Sequence, residues 1–422
     1  MTARPGSLDL PHRAYIEALA DAPEGSPAWH AIVAGYAALQ LFESWMDGGV
    51  GTAAPSMIDV RRVRRYVQAI PELHPGRGCL MHLVECIEAA SADRDGGASG
   101  LRAEVGRVLA SYAKLLQYDA QWGLVADVHA TLVEFAQRTS DMPRMLDSML
   151  MRGYGLRMQG RFGEATETYA ALRTAAIAVG DEHYRLESQL SDAKVAIDRG
   201  NVPMAAGLLD RTIAEARRIE CRVVVSKGLT DRARIAAMHG EHELALACSY
   251  EALELSEDAA DRERILSNLA LTFGQMGLRT AARDAALLVA ATAQDRNTRL
   301  TALVNLMELA HQDGRELVFE QYRRELSREE LTPYLEAVYH ETCAEGFRAF
   351  GRALEARQAA QGLLEIAERH GLNEFVLRSE ALLRVAAVEP AEPPATTRAL
   401  TPQTRRIARA IARMRAAAGL PG

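Results

Sequence analysis

The sequence predicts an all-α fold, a right-handed α-solenoid of helical hairpins, on three observations. Six glycines recur at near-constant spacing, apolar residues repeat with helical period, and residues that seed strands are scarce. Gly160, Gly200, Gly240, Gly277, Gly314 and Gly351 stand 40, 40, 37, 37 and 37 residues apart, each at the end of a predicted helix. A glycine there supplies the left-handed residue that closes a helix. Five residues after each stand Ala165, Ala205, Ala245, Ala282, Phe319 and Ala356. A small side chain at that place lets the second helix approach the first closely, so the unit is a helical hairpin. Phe319 breaks the rule, and distorted packing is expected around it.

Before Gly277, the residues Leu266, Leu269, Ala270 and Phe273 form an i, i+3, i+4, i+7 stripe that must be buried. This resembles the tetratricopeptide repeat, whose first helix carries a large, a leucine, a small and an aromatic residue at that spacing. Gly153, Phe162, Ala165 and Tyr169 match in part, as do Ala344, Phe347 and Ala356. A looser copy holds Leu109, Tyr112, Ala113 and Leu116 before its turn and Trp122 after it. The resemblance covers residues 101–371. It departs from the family in a period longer than the usual 34 residues and in lacking the proline that closes the second helix.

Residues 1–100 contain four helical patterns, near 10–20, 27–46, 57–70 and 79–90, and a turn-rich run at 93–100. They are read as diverged repeats, with a separate bundle as the alternative. Residues 372–388 form a capping helix over the last hairpin, as the ends of solenoids require. Residues 389–400 are a Pro-rich linker, and 401–422 a detached basic helix. That tail has Thr401 as N-cap before Pro402 and Ile407, Ile411 and Met414 on one face, with Arg405, Arg406, Arg409 and Arg413 around it. Its words LTPQ, RIAR and AAAGL resemble the opening of the LuxR-type helix-turn-helix, and the likeness stops before a turn and recognition helix. The tail alone is therefore not expected to read a major groove. It is read as a relic of a lost domain or a basic helix docking on an acidic surface, with phosphate contact third.

The formal charge of −7 is uneven, because the last 32 residues carry six arginines against Glu392 and leave about −12 for the rest. Such a body does not attract nucleic acid nonspecifically. No stretch of eighteen apolar residues occurs, and the first ten residues lack the apolar run of a signal peptide. Cys79, Cys86, Cys221, Cys248 and Cys343 are odd in number and scattered, which suggests no disulfide framework. A cytoplasmic protein without membrane insertion is expected. Only three of the 49 basic residues are lysine, which reads as the codon bias of a GC-rich bacterial genome.

No Walker loop, GxSxG elbow, HExxH or GxGxxG motif is present. Cys79, His82 and Cys86, with His74 nearby, could present zinc ligands on one helical face. Their alternation with Leu80, Leu83 and Ile87 favours a core stripe instead. His239 and His242 flank a repeat glycine, where an exposed polar residue is ordinary. No cofactor and no catalytic residue are expected.

First helices of tetratricopeptide-like arrays line a concave groove, so the resemblance implies binding residues at first-helix positions outside the packing stripe. These are Lys114, Tyr154, Arg157, Lys194, Lys227, Arg234, Arg264, Glu308, Glu341, Glu345 and Arg348, together with Asp147, Glu187 and His311. The middle is basic and the C-terminal part acidic, which would orient a segment of opposite polarity. The expected function is a non-enzymatic scaffold or adaptor that grips a protein or peptide segment between about Arg107 and Arg348. A sensory or regulatory module, binding a small ligand or signalling peptide with the tail as output, is the alternative. A phospho-substrate hydrolase using His74 and His82 comes third, with no motif behind it.

Overall fold

The computed structural model describes residues 12–47, 57–92, 98–385 and 400–420, and among these there is no strand. The chain divides into two units, Met1–Leu208 and Leu209–Gly422. Much of the Pro-rich linker and most of the turn-rich run at 93–100 lie outside the described residues.

The first unit opens with α1 (Arg13–Asp21), α2 (Pro27–Asp47), α3 (Met57–Gln68) and α4 (Pro75–Ala92). Hairpins follow: α5 (Ala98–Tyr118) with α6 (Trp122–Thr139), α7 (Met142–Met158) with α8 (Phe162–Val179), and α9 (Glu182–Asp198) leading into α10 (Val202–Arg218), within which the units divide. α2 touches α1, α3, α4 and α6. The N-terminal helices thus close around one helix, and their core, including Tyr15, Phe42, Leu83 and Ile87, is continuous with Leu109 and Phe135 of α5 and α6.

The second unit stacks four hairpins: α11 (Arg222–Met238) with α12 (His242–Leu255), α13 (Ala259–Gln275) with α14 (Arg279–Thr292), α15 (Arg296–Gln312) with α16 (Glu316–Leu326), and α17 (Pro333–Ala349) with α18 (Ala353–His370). α19 (Asn373–Val385) covers α17 and α18. First helices touch their successors, α11 to α13, α13 to α15 and α15 to α17, as α7 does α9 in the first unit. First helices from α7 to α17 are all 17 residues long. The second helices α12, α14 and α16, with 14, 14 and 11 residues, are shorter than α8 with 18, and this accounts for the change of period from 40 to 37.

The repeat glycines adopt φ of 68° to 75°. Each allows the next amide to return to a carbonyl five residues back, as Arg161 N–H does to Leu156 and Leu278 N–H to Phe273, satisfying an otherwise orphaned acceptor. The opposite ends are held by aspartates. Asp141, Asp181, Asp258 and Asp295 accept the backbone N–H three residues on and so cap α7, α9, α13 and α15.

The stack is irregular at Phe319, as expected: α16 is the shortest second helix and hardly meets α17 directly, while α15 packs on α17 more extensively than other successive first helices pack on each other. The Phe319 ring is fully buried and lies over Gly346 of α17, where a Cβ would stand 2.3 Å from a ring carbon. Phe347 and Phe350 meet the same ring edge-on at 5.7 and 5.4 Å. The missing small residue on α16 is compensated by a missing side chain on the next first helix. Within one hairpin of the first unit, Tyr169 of α8 likewise lies over a glycine, Gly153 of α7.

The tail helix is not detached. α20 (Pro402–Ala417), capped by Thr401 as expected, packs on both α12 and α14. Thr404, Ile407, Ala410 and Ile411 are buried, and Arg415 Nε approaches the buried Asp284 of α14 at 3.2 Å. Arg405, Arg406, Arg409 and Arg413 remain exposed.

Two outcomes follow from this packing. Gly346→Ala should destabilise the wild-type chain by about 1–3 kcal/mol through overpacking against Phe319. In a Phe319→Ala background the same change should stabilise, by up to about 1 kcal/mol of helix propensity; chemical denaturation of the four variants reads the change of sign. Ile411→Asp should cost about 2 kcal/mol or more of docking free energy. Hydrogen exchange should then show α20 amides losing protection while α13 and α17 keep theirs, and retained protection of α20 would contradict the docking.

Candidate binding face

In the first unit, Lys114 is exposed and Tyr154, Arg157 and Lys194 are half-buried. Tyr154 and Arg157 are brought together: the guanidinium lies 5.2 Å from the Tyr154 ring centre and pairs with Asp198 of α9. Trp122 meets Tyr154 edge-on at 5.4 Å. Arg157 is therefore engaged with its own chain, and much of its charge is spent within the unit.

In the second unit, Lys227 on α11 is half-buried, whereas Arg234 on α11 and Arg264 on α13 are exposed. The two arginines contact carboxylates on their own helices, Asp231 at 3.7 Å and Asp261 at 2.7 Å. The guanidinium ends are exposed, and an i, i+3 pair on a helix surface holds its side chains weakly, at about 0.3–0.5 kcal/mol. A partner could take them over at little cost.

The acidic end is more tightly organised. Glu308 on α15 and Glu341 and Glu345 on α17 are all half-buried. Burial and the neighbouring Glu341 raise the Glu308 carboxyl above its ordinary range, and Gln312 Nε2 donates to it at 2.9 Å. Glu345 is raised by burial and by both of the other carboxylates, with Arg348 and Arg378 opposing. Glu341 pairs with Arg378 of α19 at 3.2 Å. His311 lies beside Glu345, its Nε2 3.9 Å from the carboxylate. Burial, aided by Arg348 and Arg279, pushes its pKa down to about 4, so the ring is neutral at pH 7.

Sequence reasoning did not include Asp198, Gln312 or Arg378 in this face. Arg378 stands 37 residues after Glu341, one repeat on, so the period itself held the signal.

The other candidates are dispersed or altered. Cys79 leaves the proposed ligand trio: its Sγ lies 3.5 Å from the Val108 carbonyl, and burial raises its thiol pKa to about 11. Glu104 of α5 takes its place, so that His82, Cys86 and Glu104 offer ligand atoms within 4.8 Å of one another. Arg107 already pairs with Glu104, and burial and the nearby carboxylates keep Cys86 a thiol. His74 Nδ1 accepts the Gly76 N–H at 3.1 Å, an ordinary turn-stabilising role. His239 closes α11 and His242 opens α12. A cleft among α14, α15 and α16, lined by Arg283, Leu309, Asp313 and Tyr322, measures about 170 Å³. That is below the roughly 300 Å³ at which sites begin to enclose a drug-sized ligand.

No protein-family model matches the sequence, and no curated protein matches it. Among solved structures the chain is similar to the Rap conjugation gene regulator of the plasmid pLS20 in complex with the Phr* peptide, at 13% identity and a TM-score of 0.44, over 80% of this chain and 97% of that one. It is also similar to the P58(IPK) TPR domain, at 16% identity and a TM-score of 0.23, over 80% of this chain and 99% of that one. None of these comparisons supports the LuxR-type reading of the tail. The closed turns, matched first helices and stacked hairpins described above make this a tetratricopeptide-like repeat protein.

Proposed function

We propose that the chain is a non-catalytic adaptor that holds a peptide or protein segment against its first helices. The observation that carries this reading is the change of sign along the first helices of the second unit. Lys227, Arg234 and Arg264 stand on α11 and α13, and Glu308, Glu341 and Glu345 on α15 and α17. Burial and the neighbouring carboxylates raise the pKa of Glu308 and Glu345, so these two groups are unfavourable as charges in isolation. An oppositely charged segment relieves that repulsion and is oriented by it. No described helix is long and apolar enough to cross a membrane.

A displayed random-peptide pool panned on the full chain should enrich sequences with acidic residues in one half and basic residues in the other. The double variant Arg234→Glu, Arg264→Glu should bind the enriched peptides at least tenfold more weakly, with helicity unchanged by circular dichroism. Equal affinity would reject this face as the site.

The regulatory reading is favoured by the seat of α20. The tail rests on α12 and α14, the partners of the first helices that carry Lys227, Arg234 and Arg264. It requires that an enriched peptide change hydrogen exchange in α20 as well as in α11 and α13. An adaptor whose tail is inert would leave α20 unaltered.

A further inference from the structure

The acidic end of the second unit holds an unfilled set of acceptors. His311 has a side chain only 10% exposed, and its Nε2 is buried with no hydrogen-bond partner. That nitrogen faces Glu345 Oε2 across 3.9 Å, too far for a hydrogen bond between them. Two acceptors at that separation can share one N–H donor lying about 2.9 Å from each. Among the described residues, Glu308 receives the Gln312 amide and no other donor. Three carboxylates, Glu308, Glu341 and Glu345, meet two cations here, Arg348 and Arg378, and Arg378 is shared with Glu374 of its own helix, so the carboxylates are in excess. Arg279, the first residue of α14, acts on His311 and is itself engaged with the Gln312 carbonyl at 3.1 Å and with Asp313.

We infer that Glu308, Glu345 and His311 form a subsite for one guanidinium group, the side chain of an arginine in the bound segment. This deepens the peptide-binding reading and rests on it. Glu308, Glu345 and His311 do not converge as metal ligands do: among the described residues, the one group of three or more whose ligand atoms lie within 4.8 Å of one another is His82, Cys86 and Glu104. A guanidinium has donors spread over a plane, which suits acceptors placed on two helices, whereas an ammonium concentrates its donors at a point. The neutral imidazole accepts one N–H, and the two carboxylates supply the charge that the local arginines leave unmatched.

The subsite can be tested without knowing the peptide. The full chain, with histidines isotopically labelled and His311 assigned by a His311→Gln variant, is titrated with ethylguanidinium and separately with ethylammonium. The expected result is a saturable shift of the His311 ring signals, reached at a tenfold or more lower concentration of ethylguanidinium, and lost in Glu308→Gln, Glu345→Gln. The variant should keep its thermal midpoint or raise it, since it removes mutually repelling charges. No saturable shift, or equal shifts in the variant, would overturn the inference whatever the peptide pool does. If the pool yields no binder but ethylguanidinium titrates His311, the subsite stands and the adaptor reading falls. If peptides bind through Arg234 and Arg264 without preferring arginine, the reverse holds.

Discussion

The structure depends on reversing the chain within two or three residues at the end of each first helix without abandoning the last carbonyls to an apolar surround. A residue in the left-handed region solves this, because it swings the following amide back onto the helix it has just left. Gly160, Gly200 and Gly240 take that conformation without strain; Ala120 after α5 takes it at a cost of about 1–2 kcal/mol, as do Ser140 and Glu220 at the ends of the second helices α6 and α10. Packing must impose the turn at those three places, since their own preferences do not. The turn fixes where the second helix crosses the first, and the small residue five positions later stands at that crossing.

That constraint is why so much of the fold was legible. The glycine period appears in the sequence because only glycine occupies the turn cheaply, and the hairpins follow from it. A second period was equally available: Asp141, Asp181, Asp258 and Asp295 cap first helices, with Cys221 and Thr332 in register where the aspartate is missing. Phe319 marked where the stack changes, but what its ring packs on was not legible, because Gly346 lies in the next hairpin and a rule about one hairpin cannot see volume exchanged between two. Glu104 entered the His82 and Cys86 group for the same reason, being brought by α5 from a pattern that looked purely structural.

Charge was legible in sign but not in use. Arg157 is consumed by Asp198 and Tyr154, so a residue that reads as a contact for a partner is largely a brace between α7 and α9. Arg234 and Arg264 keep only weak partners on their own helices. The carboxylates of α15 and α17 are the opposite case, crowded by one another and short of cations. What separates the three is the register of neighbouring first helices, which a single sequence specifies only after the stack exists.

The tail shows how amphipathic pattern and location are different kinds of information. Ile407 and Ile411 announced a face to be buried, but an isolated 16-residue helix is marginal in water, so its order must come from what it lies on. It lies on α12 and α14, second helices of successive hairpins, each a turn shorter than α8. Arg415 is matched there by Asp284, a carboxylate that burial raises and that would be poorly placed on a bare apolar surface. A helix seated on two hairpins at once is sensitive to the spacing between them. The proposed segment on α11 and α13 would act on that same spacing through the helices paired with α12 and α14, and the two contacts would then be linked through the hairpins they share.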